Sequence, residues 1–172
     1  RTIRASNLPV LMANGVPTGS YRQAVVATDL SSYSETTIRI AKSLGLFDRL
    51  NVSLLHVFST PGTGLMTRAS LIEVEKESYI AGEKSRARKE VTAFIDRINF
   101  DEMSTILKPA TNNIAETICE TAKELPAELI VIGTCGRSVI ARALIGSVTA
   151  GVLRDSDRDV LAIPPPQDGP VS

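Results

Sequence analysis

The sequence has no tryptophan, one histidine (His56) and two cysteines (Cys119 and Cys135) among its 172 residues. So few thiol and imidazole groups exclude a Cys/His metal site of the zinc-finger kind, and two cysteines fit a reducing compartment. Its 19 basic and 19 acidic residues give no net charge, so the basic excess of a nucleic-acid-binding surface is missing. No apolar run approaches the roughly 20 residues of a membrane span. These absences predict a cytoplasmic domain that binds neither nucleic acid nor a membrane.

Three enzyme and signalling signatures are also missing. There is no Gly-Lys-[Ser/Thr] phosphate loop and no Gly-x-Gly-x-x-Gly fingerprint, which disfavours a fast P-loop NTPase and a nicotinamide oxidoreductase. The third apolar run ends in Lys108 and Pro109, where the phosphoacceptor aspartate of a receiver domain would stand. The sequence therefore predicts no catalytic residue.

The sequence alternates between short apolar runs and longer segments with a helical period. The runs are residues 23–28, 52–58, 104–108, 129–133 and 160–163. They are continuous and rich in β-branched residues, as strands are when helices cover both faces of a sheet. One intervening helix has a clear start, because Asn113 is followed three residues later by Glu116 in a variant of the capping box. The pattern predicts an α/β fold: a doubly wound sheet of five parallel strands in the order 3-2-1-4-5, with helices on both faces.

The two ends of the sequence resemble each other. In Ile3–Leu11 and Leu153–Leu161, one domain length apart, Arg, Ser, Val and Leu recur in register. The first segment then corresponds to the last strand of a preceding repeat, or to an arm swapped between two chains, although a match this short also arises by chance. The predicted organisation is a terminal strand (1–13), a linker (14–20), an α/β domain (21–163) and a flexible proline-rich tail (164–172).

Two loops and one helix start carry the residues suited to ligand binding. Asp29 follows the first predicted strand, Gly133 and Gly136 follow the fourth, and Gly146–Val148 begins the last helix. If these strands are adjacent, both loops open at the switch point where doubly wound sheets bind ligands. Glycines let backbone N–H groups approach phosphate oxygens, a helix N-terminus favours negative charge, and Asp29 suits a ribose hydroxyl or a metal carried with phosphates. Taken singly, the aspartate also reads as a helix cap and the glycines as turn residues.

Together, the pattern Gly133-x2-Gly136-x9-Gly146-Ser147 resembles the universal stress protein family, in the branch that binds ATP. The resemblance covers residues 21–163. It implies a nucleotide site whose nucleoside end consists of five residues. Their expected roles are contact with the nucleoside (Ala27), contact with the ribose (Asp29), backbone contact with adenine (Val57) and the floor under the ribose (Ile132 and Gly133).

The phosphate end of the implied site has five further residues. Gly136, Gly146, Ser147 and Val148 would hold the phosphates through backbone N–H groups and the Ser147 hydroxyl. Ser147 also suits the position of a helix N-cap. Arg137 occupies the basic position common after the second glycine of the motif.

Some residues depart from the family pattern or have a simpler structural role. Cys135 stands where the family often has His or Arg, and Ala150 replaces a common acidic residue. His56 lies in an apolar strand and is expected to be a buried, hydrogen-bonded structural residue. Cys119 lies on an apolar helical stripe and is expected in the core.

One helix carries a basic run, residues 84–89, flanked by Glu83 and Glu90. Because acidic residues flank the run, we interpret it as a solvated helix face rather than a nucleic-acid-binding stripe.

The last strand, Val160–Ile163, is short, apolar and at a sheet edge, where unpaired strands invite pairing. The resemblance implies a homodimer or pseudo-dimer through this edge. We expect Leu8–Ala13 to pair against it, within one chain or swapped between two.

The resemblance favours a regulatory stress-response module that binds ATP (alternatively ADP or AMP) with Mg²⁺ and has little or no fast hydrolysis. One alternative is a slow ATPase or nucleotide-dependent transferase that uses Asp29 and a bound Mg²⁺. The other is a nucleotide-free dimerisation domain. No protein metal ligands are predicted.

Overall fold

The computed structural model describes residue 3 and residues 6–15, 19–60, 73–100, 103–111, 113–136 and 145–166. Six strands and four helices lie within these ranges. In chain order they are β1 (Val10–Met12), β2 (Gln23–Thr28), α1 (Ser32–Ser43), β3 (Asn51–Phe58), α2 (Glu73–Ile98), β4 (Ser104–Pro109), α3 (Ile114–Glu124), β5 (Leu129–Gly133), α4 (Ser147–Asp155) and β6 (Asp159–Ile163). None of these helices combines the length and the apolar character that crossing a membrane requires.

All six strands form one sheet, in the order β1-β6-β5-β2-β3-β4. Strands β2 to β6 correspond to the five predicted strands and run parallel to one another. The predicted five-stranded, wholly parallel sheet in the order 3-2-1-4-5 is nevertheless wrong, because the sheet has a sixth strand and is mixed. Strand β1 pairs antiparallel with β6, with Leu11 opposite Leu161. The expected pairing of Leu8–Ala13 against the edge strand is thus present over Val10–Met12, within the same chain. It satisfies backbone groups of β6 that would otherwise lack strand partners.

Hydrogen bonds from Asn14 and Tyr21, which follow β1, hold it against the start of β6. The Asn14 backbone N–H donates to Asp159 Oδ1 over 2.7 Å, and the Asn14 side-chain amide donates to the carbonyl oxygens of Ser156 and Arg158. The Tyr21 hydroxyl donates to Asp159 Oδ2 over 2.5 Å. Burial, together with this hydrogen bond, raises the pKa of Tyr21 to about 12, and the same bond lowers the pKa of Asp159. The attachment therefore combines strand pairing with a carboxylate network.

Helices cover both faces of the sheet, so alternate residues of each strand belong to different cores. The core under α1 and α2 includes Val26, Ile38, Leu54 and Phe94. The core under α3 and α4 includes Val25, Leu55, Ile118 and Val152. This burial on both faces explains why β2, β3 and β5 are continuously apolar, and it fixes their carboxyl ends at one edge of the sheet.

Candidate functional site

A cavity of about 540 Å³ lies at the carboxyl ends of β2, β3 and β5. This volume is within the range of small-molecule sites, about 300–1,000 Å³. Nine of the ten residues that the resemblance implies line it: Ala27, Asp29, Val57, Ile132, Gly133, Gly136, Gly146, Ser147 and Val148. The tenth, Arg137, lies outside the described residues. The fold therefore brings the loop after β2 to the loop after β5 and the start of α4, which follow it by more than 100 positions in the sequence.

The Asp29 carboxylate is held in one orientation. Its Oδ1 atom accepts hydrogen bonds from the Ser31 backbone N–H (3.1 Å), the Ser31 hydroxyl (2.5 Å) and the Ser34 hydroxyl (2.6 Å). The Ser31 hydroxyl also caps α1 by accepting from the Ser34 backbone N–H. Ser31, and not Asp29, thus caps the helix, and Asp29 Oδ2 is directed toward the loop after β5.

That loop passes directly against Asp29 at a glycine. A Cβ atom added to Gly136 would lie 2.8 Å from Asp29 Oδ2, closer than any ordinary contact. Gly133 is equally confined, because its Cβ would lie 2.7 Å from Thr37 Oγ1 on α1. The first two glycines of the motif are therefore close-approach positions and not merely turn residues.

The turn after Asp29 stores backbone strain. Leu30 has φ = +64°, in the left-handed region that a leucine rarely adopts. Its N–H donates to the Thr28 hydroxyl (3.0 Å), and its carbonyl oxygen accepts from Arg97 on α2 (3.3 Å). Strain of this kind is typical of functional sites whose surroundings over-determine the backbone.

Helix α4 begins at the cavity without a side-chain cap. Gly146 is the N-cap residue and Ser147 the first helical residue, so Ser147 does not act as the cap. The Gly146 N–H, which was expected to face a phosphate, donates instead to the Thr134 carbonyl oxygen over 2.9 Å. The next three N–H groups, of Ser147, Val148 and Thr149, have no acceptor inside the helix, and all three residues line the cavity. The start of α4 therefore presents uncapped donors and a helix dipole to the cavity.

The cavity has two chemically different sides. One side, toward α3 and α4, is apolar and includes Ala27, Leu55, Val57, Ile118 and Ile132. The other, toward α2, is polar and includes His56, Glu83, Arg86 and Glu90. A ligand that matches both sides has a flat apolar part and hydrogen-bonding edges.

His56 matches its expected structural role and also lines the cavity. The residue is 8% exposed, and its Nδ1 atom lies 3.0 Å from the Thr28 carbonyl oxygen. Because a carbonyl oxygen only accepts, this contact places a proton on Nδ1. The hydrogen bond fastens β3 to β2 directly under the cavity.

The two cysteines differ in their surroundings. Cys119 is buried on α3, as expected, and burial raises the pKa of its thiol. Cys135 is half-buried and lines the cavity beside Gly136. Across the described ranges, no three His, Cys, Asp or Glu side chains come close enough together to hold a metal ion.

Sequence reasoning missed the residues that α2 contributes to the cavity, Glu83, Arg86 and Glu90. They lie more than 50 positions after Asp29 and more than 40 before Gly133, and no local motif connects them to either loop. The one available signal was the break in the apolar stripe of α2 at Glu83.

Known proteins resemble this chain in sequence and in structure. The Universal stress protein E homolog of Haemophilus influenzae is 26% identical over 169 residues, which is 95% of this chain and 54% of that protein. A universal stress protein of Methanocaldococcus jannaschii is 21% identical over 156 residues, 83% of this chain and 94% of that protein. A functionally unknown protein of Pseudomonas aeruginosa has a TM-score of 0.64 at 21% identity, over 94% of this chain and 53% of its own.

The chain thus spans about half the length of some relatives and nearly all of others. A further similar structure, of a universal stress protein in complex with cAMP, has a TM-score of 0.52 at 22% identity, over 84% of this chain and 98% of that one. The model of the Universal stress protein family matches residues 20–164. This match covers the whole sheet apart from β1, together with the cavity, and the chain therefore belongs to the universal stress protein family.

Proposed function

We propose that this chain is a regulatory module that binds an adenine nucleotide, with Mg·ATP as its first ligand and ADP or AMP as alternatives, and has little or no fast hydrolysis. The observation that carries the proposal is that Asp29 and the uncapped start of α4 border the same cavity. A nucleotide has hydroxyls that suit a carboxylate and phosphates that suit a helix N-terminus. The cAMP complex of a structurally similar universal stress protein supports an adenine nucleotide as the ligand class.

The two sides of the cavity suggest an orientation for the nucleotide. The base would pack on the apolar side between Ala27, Val57 and Ile132. The ribose would lie over Gly133 with its hydroxyls toward Asp29, and the phosphates would lie at the N–H groups of Ser147 and its neighbours. This order follows the strands, because β3 borders the base end and β5 leads to the phosphate end.

A magnesium ion would be held mainly by the phosphates themselves. Mg²⁺ prefers oxygen ligands and keeps several waters, so it needs few protein groups. The rim of the cavity offers the Asp29 carboxylate and the exposed Ser147 hydroxyl, which are oxygen donors of the right kind. Bound there, the ion would neutralise phosphate charge.

The contacts of Asp29 favour binding over turnover. Its Oδ1 atom already accepts three hydrogen bonds, which orient the carboxylate. A carboxylate held in this way is suited to accept a hydrogen bond from a ribose hydroxyl. If Asp29→Asn abolishes a measurable ATPase rate while binding persists, the slow-ATPase alternative replaces the binding module.

The direct test is to denature freshly purified protein mildly and to identify any released small molecule by mass spectrometry. We expect ATP or ADP at close to one molecule per chain, or a rise in melting temperature on adding Mg·ATP. An empty protein without a thermal shift contradicts the proposal and favours a nucleotide-free dimerisation domain.

A glycine variant tests the location of the phosphates. In Gly136→Val the added side chain would crowd Asp29 and fill the phosphate approach, so the thermal shift with Mg·ATP should disappear while the protein stays folded. Gly82→Val is the matched control, because a Cβ atom there meets no atom within 4 Å. If Gly136→Val binds like wild type, the assignment of the phosphate loop is wrong.

We also propose that β1 is the final strand of a preceding repeat of the same domain, which makes a pseudo-dimer with this one. Three observations support the idea: the likeness of Ile3–Leu11 to Leu153–Leu161, the antiparallel pairing of β1 with β6, and the 54% coverage of the Haemophilus influenzae relative. The coding sequence upstream of this chain should contain a second copy. If it contains none, light scattering on the protein tests the alternative, a homodimer with swapped arms.

A further inference from the structure

Helix α2 is longer than the sheet requires. Its 26 residues make it about 39 Å long at 1.5 Å per residue, whereas the eight residues of β3 span about 27 Å. As the crossover between two parallel strands, α2 runs back from the carboxyl edge of the sheet toward the amino edge. The middle of the helix, from Glu83 to Glu90, therefore borders the cavity at the carboxyl edge.

The side of α2 that faces the sheet changes from apolar to charged at this edge. Ala87, Val91, Phe94 and Ile98 form its apolar stripe and are at most 6% exposed. One turn before Ala87, the same stripe reaches Glu83, which is half-buried and lines the cavity. A carboxylate thus occupies a position where the helical period predicts an apolar side chain.

The neighbouring positive charge of Arg86 pairs with Glu90, so the oxygen atoms of Glu83 can still accept hydrogen bonds. Arg86 donates from Nε to Glu90 Oε1 over 3.2 Å, which draws the guanidinium toward the C-terminal side, away from Glu83. Within the described part of the chain, no hydrogen bond or ion pair reaches the Glu83 carboxylate. Of the two acidic residues that flank the basic run, Glu90 therefore pairs with it and Glu83 does not.

The position of Glu83 in the fold separates it from the phosphate end. Helix α2 packs against β3 and β4, whereas the loop to α4 follows β5, and β2 lies between the two regions. A carboxylate beside phosphates would repel them, but at the base end it faces a neutral heterocycle. An ionised carboxylate has acceptor atoms only, so it favours a ligand group that donates N–H bonds.

We propose that Glu83 is a specificity-determining residue that accepts a hydrogen bond from the exocyclic amino group of the base, so that the site prefers a 6-amino purine to a 6-oxo purine. The inference rests on the proposed function, since it names which base the nucleotide cavity selects. A 6-oxo purine presents a carbonyl oxygen at that position, and two acceptors facing each other in a cavity leave both without a donor.

The experiment compares ATP with inosine triphosphate, its 6-oxo analogue, by titration calorimetry with Mg²⁺. The proteins are wild type, Glu83→Gln and the control Glu77→Gln, an exposed residue of the same helix. Wild type should bind ATP at least about tenfold more tightly than the analogue, as expected for one hydrogen bond to a charged group. Glu83→Gln should reduce that ratio about tenfold, mainly through tighter binding of the analogue, because the glutamine amide donates to a carbonyl. The control should keep the wild-type ratio.

The outcomes separate the two proposals. A wild-type protein that binds ATP and a Glu83→Gln variant with an unchanged ratio overturn the role of Glu83 and leave the nucleotide site standing. If a folded Glu83→Gln variant binds neither nucleotide, the proposed role is also overturned, because the residue is then needed for binding in general and not for selecting between the two bases. A wild-type protein that binds neither nucleotide overturns the proposed function itself, and this inference with it.

Discussion

Helices α3 and α4 lie side by side on the same face of the sheet, but they begin in opposite ways. The first turn of α3 is closed by Asn113, whose side-chain oxygen accepts from the Glu116 N–H over 2.9 Å. Helix α4 starts at Gly146, which has no side chain to offer, and its first N–H groups border the cavity. A capped helix needs nothing from outside, whereas an uncapped one has donors to give to an anion.

The pair also shows that a helix with open donors can be firmly placed. A Cβ atom on Gly151 of α4 would lie 2.7 Å from the Ala115 Cβ atom of α3, so the two helices touch closely. The Thr149 hydroxyl donates to the Gly133 carbonyl oxygen over 2.7 Å, which joins the start of α4 to the end of β5. The donors of α4 are therefore held in place before any ligand arrives, which reduces the ordering cost of binding.

The largest effect should come from making α4 resemble α3. Gly146→Asp adds a capping carboxylate that can accept from the N–H groups of Val148 and Thr149, and its charge would repel a phosphate. We expect Mg·ATP affinity to fall at least about 100-fold, with melting temperature unchanged or higher. Titration calorimetry and thermal unfolding measure the two effects.

A neutral cap separates the two causes of that loss. Gly146→Asn reproduces the Asn113 side chain without charge, so it should weaken binding less than the aspartate does. If both variants bind Mg·ATP like wild type, the start of α4 does not hold the phosphates.

The second effect concerns the hydroxyl that the motif places first in α4. Ser147→Ala removes one donor to a charged phosphate and should weaken Mg·ATP binding about tenfold, without a change in the free energy of unfolding. Thr149→Val is an instructive comparison, because the Thr149 hydroxyl already donates to Gly133. It should lower stability more than Ser147→Ala does. Equal effects of the two substitutions on stability would show that Ser147 is structural.

The smallest effect is the converse change in α3. Asn113→Ala leaves N–H groups of α3 without their cap and should lower the free energy of unfolding by about 1 kcal/mol in urea titrations. Nucleotide affinity should stay at the wild-type value, because the Asn113 side chain caps α3 and none of the residues assigned to the nucleotide lies on that helix. A marked loss of affinity in this variant would mean that the capped start of α3 also contributes to nucleotide binding, and that α4 is not the only helix start involved.

Local patterns predicted much of this fold because the pattern and the structure have the same cause. Residues 23–28 form β2 with the predicted bounds, since a strand covered on both faces is apolar at consecutive positions, here residues 24–27. The Asn113 cap was likewise readable over three positions. The count of five parallel strands was wrong because the prediction placed residues 1–13 in a preceding repeat or a swapped arm, whereas β1 pairs antiparallel with β6 and belongs to this sheet.

The location of the candidate site could be predicted from the sequence, but some of its contacts could not. Asp29 and the glycines follow strand ends, so topology alone brings them to one cavity. The hydrogen bond from Gly146 to Thr134 was not predictable, because it depends on how the chain returns to the sheet. Glu83 was missed for a similar reason: its spacing in α2 indicates only which side faces the sheet, and the length of the helix decides what it meets there.

The pairing of β1 with β6 also bears on the order of folding. Asn14 and Asp159, which hold this corner together, are 145 positions apart, so their contact closes a loop that includes almost the whole domain. Contacts of such long range cost the most chain entropy and are expected to form late, after the parallel sheet has assembled. In native-state hydrogen exchange, the amides of β1 should therefore open in smaller, more frequent fluctuations than those of β2. Each such opening would expose the apolar edge of β6 for a moment, and the speed with which β1 returns sets how long that edge is available to another molecule.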